Sequence, residues 1–113
     1  MPTEYIMFID DERFPPADGR VWKVCRSMAQ VDQTIDTFGF PNFISFDHDL
    51  GDGQPTGMDI ARWLIECDMD TLGLPRDFKF YVHSQNPIGK RNIEMLLNQY
   101  LNYRAELVDK TTN

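Results

Sequence analysis

Three polar segments of this chain carry side chains that could bind a metal or transfer a proton. An acidic segment occupies residues 10–12, an Asp-His-Asp sequence occupies residues 47–49, and a His-Ser-Gln-Asn sequence occupies residues 83–86. Each segment directly follows an apolar run, so each stands where a strand is expected to end. Aspartate is also an ordinary turn former, and a solvated turn is the alternative interpretation of the two acidic segments.

The clustered carboxylates predict a divalent-metal site. Carboxylates within a few ångströms of one another repel unless a cation or protons neutralise them. A hard ion with oxygen ligands, Mg²⁺ first and Mn²⁺ second, suits such a cluster. The metal ligands predicted from the sequence are Asp10, Asp11, Asp47 and Asp49.

Both histidines of the chain lie in these polar segments. An imidazole titrates near neutral pH and can act as a general acid or base. The predicted catalytic residues are His48 and His83, together with Asp47 as a metal ligand. For each histidine, a structural hydrogen bond at a strand end is the alternative.

A helix that begins at Pro87 predicts a phosphate site, because backbone amides at a helix N-terminus bind anions. The phosphate-binding residues predicted there are Ser84, Asn86, Lys90 and Arg91. Solvated basic side chains are the alternative for the last two. A metal, an anion site and imidazoles together indicate phosphoryl or phosphodiester chemistry.

Apolar runs and helical spacings predict the elements that position these segments. Strands are expected at residues 5–9, 21–26, 43–46 and 78–82. Helices are expected at residues 28–38, from a capping box of Thr56 and Asp59 onward, and from Pro87 onward. Residues 103–113 are predicted to form a fraying tail, with a short edge strand at 105–108 as the alternative.

This alternation of strands and helices predicts a single α/β domain over residues 1–113. The predicted fold is a three-layer, flavodoxin-like open parallel sheet with strand order 2-1-3-4 and helices on both faces. It has four strands, or five if the edge strand forms. Because the carboxyl ends of parallel strands share one edge, the three polar segments are expected to meet in one crevice.

Composition excludes several classes of function. The net charge of −7 opposes binding to duplex DNA, although a bound cation would still admit a small phosphate ligand. No apolar run approaches the roughly 20 residues that cross a bilayer, and the N-terminus lacks the basic region of a secretory signal. A cytoplasmic protein without a membrane partner is therefore expected, with Cys25 and Cys67 as reduced thiols.

The motifs resemble response-regulator receiver domains and, more closely, the receiver-like family of cyclic-phosphate processing receiver domains. The matching segments are DDER at residues 10–13, DHDLG at 47–51 followed by TG-x-D at 56–59, and VHS-x-NP at 82–87. The resemblance implies metal-assisted processing of a cyclic phosphate, either an RNA 2′,3′-cyclic end or a cyclic nucleotide. Because the matching aspartate of receiver domains accepts a phosphoryl group, the resemblance also implies that Asp47 is either a metal ligand or a nucleophile. It is also compatible with a phage-encoded protein.

The sequence thus favours a divalent-metal-dependent phosphoesterase whose partner is a small phosphate-containing or nucleotide substrate, with an RNA end included in that class. The alternative is a non-catalytic receiver-like module for signalling or binding, which engages a nucleotide or a host protein. The acidic surface of the chain suits such a partner.

Overall fold

The computed structural model describes residues 4–111, with side chains described as far as residue 108. Four strands and three helices make up this part of the chain. The strands are β1 (Ile6–Ile9), β2 (Trp22–Cys25), β3 (Phe43–Phe46) and β4 (Lys79–Val82). The helices are α1 (Met28–Phe38), α2 (Gly57–Thr71) and α3 (Pro87–Thr111).

The four strands form one parallel sheet in the order β2-β1-β3-β4, which confirms the predicted topology. In the register of the sheet, Ile9 is paired with Cys25 on one side and with Phe46 on the other, and Phe46 is paired with Val82. The four strands therefore end level with one another. Their carboxyl ends lie side by side along one edge.

One face of the sheet is covered by all three helices. Its strand residues, among them Met7, Ile9, Ile44 and Phe46, have no exposed surface. They share one hydrophobic cluster with side chains of each helix, which include Val31 of α1, Ile60 and Leu64 of α2, and Ile93 and Leu97 of α3. Burial of these side chains is the main driving force that holds the helices on the sheet.

The opposite face of the sheet carries no helix in the described part of the chain. Side chains alternate between the faces of a strand, and this face presents Phe8, Trp22, Phe43, Ser45 and Tyr81. None of these five belongs to the hydrophobic cluster that the helices share. The expectation of helices on both faces is therefore corrected to helices on one face.

Crossover handedness gives the physical reason for this one-sided arrangement. The connections from β2 to β3 and from β3 to β4 step across the sheet in the same direction. Right-handed crossovers then place α1 and α2 on the same face. A helix between β1 and β2 would cover the other face, but that connection contains Pro15 and Pro16 and no regular element.

Both helices that begin beside the polar edge have the predicted caps. The Thr56 hydroxyl accepts the Asp59 amide at 3.2 Å, and the Asp59 carboxylate accepts the Thr56 amide at 2.8 Å, which completes the capping box of α2. At the start of α3, the side-chain oxygen of Asn86 accepts the Gly89 amide at 3.0 Å.

The end of α3 differs from the prediction. The sequence predicted a tail or a short edge strand at residues 103–113, whereas the helix continues to Thr111, and residues 112 and 113 lie outside the described residues. The described sheet accordingly has four strands. The last turns are held by Arg104, which donates to the buried carboxylate of Asp68 in α2 at 2.6 Å.

Two remaining expectations concern the cysteines and the membrane. Cys25 and Cys67 are free thiols, as predicted, and burial raises the pKa of each. Over the described residues, no helix combines the length and apolar character needed to cross a bilayer.

Candidate metal and phosphate site

Three strand ends converge at the polar edge of the sheet, as the sequence predicted. Asp10 follows β1, Asp47 follows β3 and His83 follows β4, and one ligand atom from each lies within 4.8 Å of the others. Backbone hydrogen bonds fix these positions, because the Asp47 amide donates to Ile9 and the His83 amide donates to Phe46, both at 2.9 Å. The sheet ladder thus extends by one residue and holds the three side chains together.

Asp10 is fully buried and has four hydrogen-bond donors around it. Its Oδ1 accepts the backbone amides of Glu12 at 2.9 Å and Arg13 at 2.8 Å. Its Oδ2 lies 3.0 Å from Nε2 of His83 and 2.9 Å from Nε of Arg13. Burial on its own would raise the pKa of Asp10, but the two amides, His83 and Arg13 together lower it below its ordinary value.

Asp47 lies in a less favourable environment for a negative charge. Its Oδ1 accepts the His48 amide at 2.8 Å, and its Oδ2 is 3.5 Å from Nη2 of Arg13. Burial and then the charge of Asp10 raise the pKa of Asp47 above its ordinary value. The pKa values of the two neighbouring carboxyls are therefore moved apart, a pattern common in sites that perform acid–base or metal chemistry.

His83 is held on both edges of its ring. Its Nδ1 lies 2.7 Å from the Ser45 hydroxyl and its Nε2 faces Asp10. The ring stacks on Phe8 with centroids 4.5 Å apart and planes 4° from parallel. A histidine fixed in this way keeps one nitrogen directed at the carboxylates.

Arg13 is the residue that sequence reasoning missed as a member of the site. Its guanidinium bridges Asp10 and Asp47, while the side chain remains 41% exposed. The turn that carries it is tied down by Arg26, whose Nη1 donates to the carbonyls of Asp10 at 3.1 Å and Arg13 at 2.5 Å. The available signal was its place in the DDER segment, directly after the acidic residues.

A solvent-open cavity of about 420 Å³ lies over this edge. It gathers several of the predicted residues: Asp11, Asp47, Asp49, Ser84 and Asn86, together with Arg13. Asp11 and Asp49, predicted as metal ligands, line the cavity without joining the cluster of Asp10, Asp47 and His83. His83 was predicted as catalytic, and the structure adds the geometry of a metal ligand.

Three predicted site residues lie outside both this cavity and the cluster of Asp10, Asp47 and His83. His48 places its Nδ1 3.0 Å from Asp49, and its ring packs where a Cβ on Gly89 would stand. The ammonium group of Lys90 lies over the Tyr81 ring, 5.5 Å from its centroid. Arg91 is exposed on α3. The structure therefore does not bring these three side chains to the carboxylates of Asp10 and Asp47.

Gly57 sets the position of the loop that follows Asp47. Its amide donates to the His48 carbonyl at 2.7 Å. A Cβ at this position would stand 2.0 Å from the Asp47 carbonyl oxygen, closer than any real contact. The chain after β3 thus returns against the first turn of α2, and only glycine permits that approach.

The cluster fits a divalent cation. Each aspartate uses one oxygen for backbone amides and directs the other toward Arg13. The oxygens directed at Arg13, with Nε2 of His83, form a mixed donor set of oxygen and nitrogen that Mn²⁺ accepts and that Mg²⁺ accepts through its oxygen part. The side chain of Arg13 now supplies the positive charge between the carboxylates.

Comparison with known proteins agrees with this geometry. A family model described as a cyclic-phosphate processing receiver domain matches residues 5–99. No curated protein and no solved structure matches the chain.

Proposed function

Because the chain belongs to the cyclic-phosphate processing receiver family, we propose that it is a divalent-metal-dependent phosphoesterase that opens a cyclic phosphate. The observation that supports this most strongly is the convergence of Asp10, Asp47 and His83 beside an open cavity. The proposed substrates are a cyclic nucleotide or an RNA 2′,3′-cyclic end.

Asp10 and Asp47 would hold the Mg²⁺ or Mn²⁺ ion, which supplies a Lewis acid for a phosphoryl oxygen. Since Arg13 bridges the same two carboxylates, its half-exposed side chain must move when they take up a cation. Arg13 also lines the cavity, so its displaced guanidinium would be able to contact the anionic phosphate.

Ser84 and Asn86 would orient the phosphate. The Ser84 oxygen accepts the Asn86 amide at 3.1 Å, which leaves its hydroxyl hydrogen free to donate. Both residues line the cavity at the start of α3, where the helix dipole favours a negative charge.

His83 is the proposed proton-transfer group. Hydrolysis adds a water oxygen to phosphorus and breaks one ring P–O bond, and the leaving sugar oxygen takes up a proton. His83 presents Nε2 at the carboxylates while Ser45 holds Nδ1, so the ring orientation is set before substrate arrives. His83→Gln should lower kcat more than it lowers Mn²⁺ affinity, because the two carboxylates of the donor set remain. A loss of Mn²⁺ affinity as large as that of Asp47→Asn, with kcat retained at saturating Mn²⁺, would instead identify His83 as a ligand only.

Asp47→Asn tests the proposal most directly. The variant should lose Mn²⁺ binding, measured by titration calorimetry, and release of linear phosphate from a 2′,3′-cyclic nucleotide, measured by phosphorus NMR, with an unchanged circular dichroism spectrum. Asp52→Asn, an exposed change in the same loop, is the matched control. Unchanged turnover in Asp47→Asn would reject the proposed activity.

A non-catalytic receiver-like module is the second candidate, and one observation favours it. Arg13 already balances the two carboxylates, so the edge is electrostatically satisfied without a metal. Incubation with acetyl phosphate and Mg²⁺ separates the candidates. Stable phosphorylation of Asp47 without turnover of cyclic phosphates would favour signalling, and release of a linear phosphate favours the enzyme.

A further inference from the structure

The face of the sheet without helices contains a second cavity, of about 440 Å³. Its floor is the sheet itself, with Ser45 and His83 near the polar edge and larger rings further down. Three aromatic side chains of the lining have exposed surface: Trp22 and Phe43, which are half-buried, and Tyr81, which is 55% exposed. The volume falls within the range typical of small-molecule sites.

This aromatic pocket adjoins the carboxylate cluster through His83. Asp47 follows β3 and extends its pairing by one residue. Ser45 stands two residues before it and therefore lies on the same face, roughly 7 Å away along the chain. His83 belongs to both places, since its ring lines the pocket and its Nε2 faces Asp10. A ligand whose phosphate lies at the carboxylates would reach the aromatic rings by passing across His83.

The charge of the pocket is opposite to that of the chain as a whole. Its described lining contains Arg20 and Lys79 and no acidic residue, in a chain of net charge −7. The Arg20 guanidinium lies 4.6 Å from the Trp22 ring centroid and is paired with Asp18 at 2.9 Å. Among the described residues, Lys79 has no acidic partner, so it leaves a positive charge at the rim.

We propose that this pocket binds the base of a single nucleotide whose cyclic phosphate lies at Asp10 and Asp47. The inference rests on the proposed function and assigns its substrate class. Stacking rings with cations at the rim are the elements that hold bases in nucleic-acid sites. A mononucleotide is favoured over a longer strand because the net negative charge of the chain repels additional phosphates. The sugar would then lie at His83, so that its leaving oxygen is beside the proposed proton-transfer group.

Trp22 makes the binding measurable. The chain has two tryptophans, and Trp63→Phe leaves Trp22 as the fluorophore within the pocket. Three probes are titrated: adenosine 2′,3′-cyclic phosphate, adenosine, and a methyl riboside 2,3-cyclic phosphate that lacks a base. The first two should quench Trp22, and the base-free compound should not.

Tyr81→Ala should weaken binding of the cyclic nucleotide by about fivefold or more, the low end of the contribution of one stacked base. Tyr103→Ala, also at 55% exposure but on α3 and outside the pocket, is the matched control and should leave affinity unchanged. Lys79→Ala should weaken binding of the cyclic nucleotide more than binding of adenosine. The variant removes a positive charge, and only the cyclic nucleotide carries a negatively charged phosphate.

Failure of the pocket and failure of the activity are distinguishable. Equal hydrolysis of the nucleotide and the base-free compound, without a Trp22 response, would overturn the pocket and leave the enzyme. The opposite result would be binding of adenosine that Tyr81→Ala weakens, with no probe hydrolysed. That result would support the pocket and reject the enzymatic activity. A dimer that Tyr81→Ala dissociates, or a tetranucleotide bound at least tenfold more tightly than the mononucleotide, would overturn the assignment of a single nucleotide.

Discussion

Two buried aspartates of this chain, Asp68 and Asp10, both face an arginine but in very different surroundings. Asp68 lies between α2 and α3, where its carboxylate accepts the Tyr100 hydroxyl, Nε of Arg104 at 2.6 Å and the Leu74 amide at 2.9 Å. Arg104 also donates to the Leu74 carbonyl at 2.7 Å and is itself buried. Every group there has a partner, so the contact fixes one arrangement of the two helices.

The polar edge of the sheet also pairs aspartate with arginine, but there the arginine is partly exposed to solvent. Asp10 is as buried as Asp68, but its partner Arg13 is 41% exposed and is shared with a second carboxylate. That second carboxylate, Asp47, has a raised pKa because burial and Asp10 oppose its charge. The comparison teaches that a buried ion pair becomes a site when its cation can leave and its carboxylates are not fully neutralised.

Arg104→Met should produce the largest effect on stability. The change leaves the buried Asp68 without its cation, and loss of one partner of a buried ion pair costs about 3–5 kcal/mol. Urea unfolding followed by circular dichroism measures this loss. Arg62→Met, an exposed change on α2, should stay within about 0.5 kcal/mol. A loss below about 1 kcal/mol for Arg104→Met would show that this cluster is also adaptable.

Gly57→Ala should act on the edge through the backbone. Its new Cβ would meet the Asp47 carbonyl at 2.0 Å, and relief of such overpacking costs about 1–3 kcal/mol. Because the shift moves Asp47, Mn²⁺ affinity should fall as well. Gly89→Ala is the matched control in the first turn of α3, where the new Cβ meets the His48 ring, a group that can rotate. Equal losses of Mn²⁺ affinity in both variants would contradict this account.

The sequence predicted the parts of the fold and site that depend on local patterns. The strand ends at Asp10, Asp47 and His83 follow from apolar runs and parallel topology, and the caps at Thr56 and Asn86 follow from local spacing. These features depend on residues close together in the chain or on rules that hold for any parallel sheet.

Features that depend on distant partners escaped prediction. The last turns of α3 depend on Arg104 and Asp68, which are 36 residues apart in the chain. Arg13 joins the site because the loop after β1 turns back over the sheet edge, where Arg26 of another strand end holds it. The helix-free face follows from two crossovers in one direction, and their common direction was already implicit in the predicted strand order.

Arg13→Ala should change stability little and metal binding more. The Arg13 side chain is 41% exposed and solvent screens its charge, so the free energy of unfolding should fall by about 1 kcal/mol or less. Because the variant removes a cation that competes for the two carboxylates, Mn²⁺ should bind several-fold more tightly in titration calorimetry. Arg76→Ala, exposed and remote from the edge, serves as the control. Weaker Mn²⁺ binding in Arg13→Ala would show that the guanidinium supports the metal instead of competing with it.

The smallest expected effect concerns Asp47 and Asp10, whose contributions to the free energy of unfolding should depend on pH in opposite ways when divalent ions are absent. The raised pKa of Asp47 means that the folded state binds its proton more tightly than the unfolded state. This contribution to stability is present at low pH and is lost as the pH rises through the raised pKa.

Asp10 has a lowered pKa, so its contribution has the opposite sign: it is present above the unfolded value and is lost as the pH falls through the folded one. Urea unfolding should therefore show opposite trends as the pH is raised from 3 to 7. The free energy of unfolding of Asp47→Asn should rise relative to that of the wild type, and that of Asp10→Asn should fall relative to it. If both variants changed in the same direction, the two carboxyls would be equivalent, and the edge would resemble the closed cluster at Asp68 more than an open site.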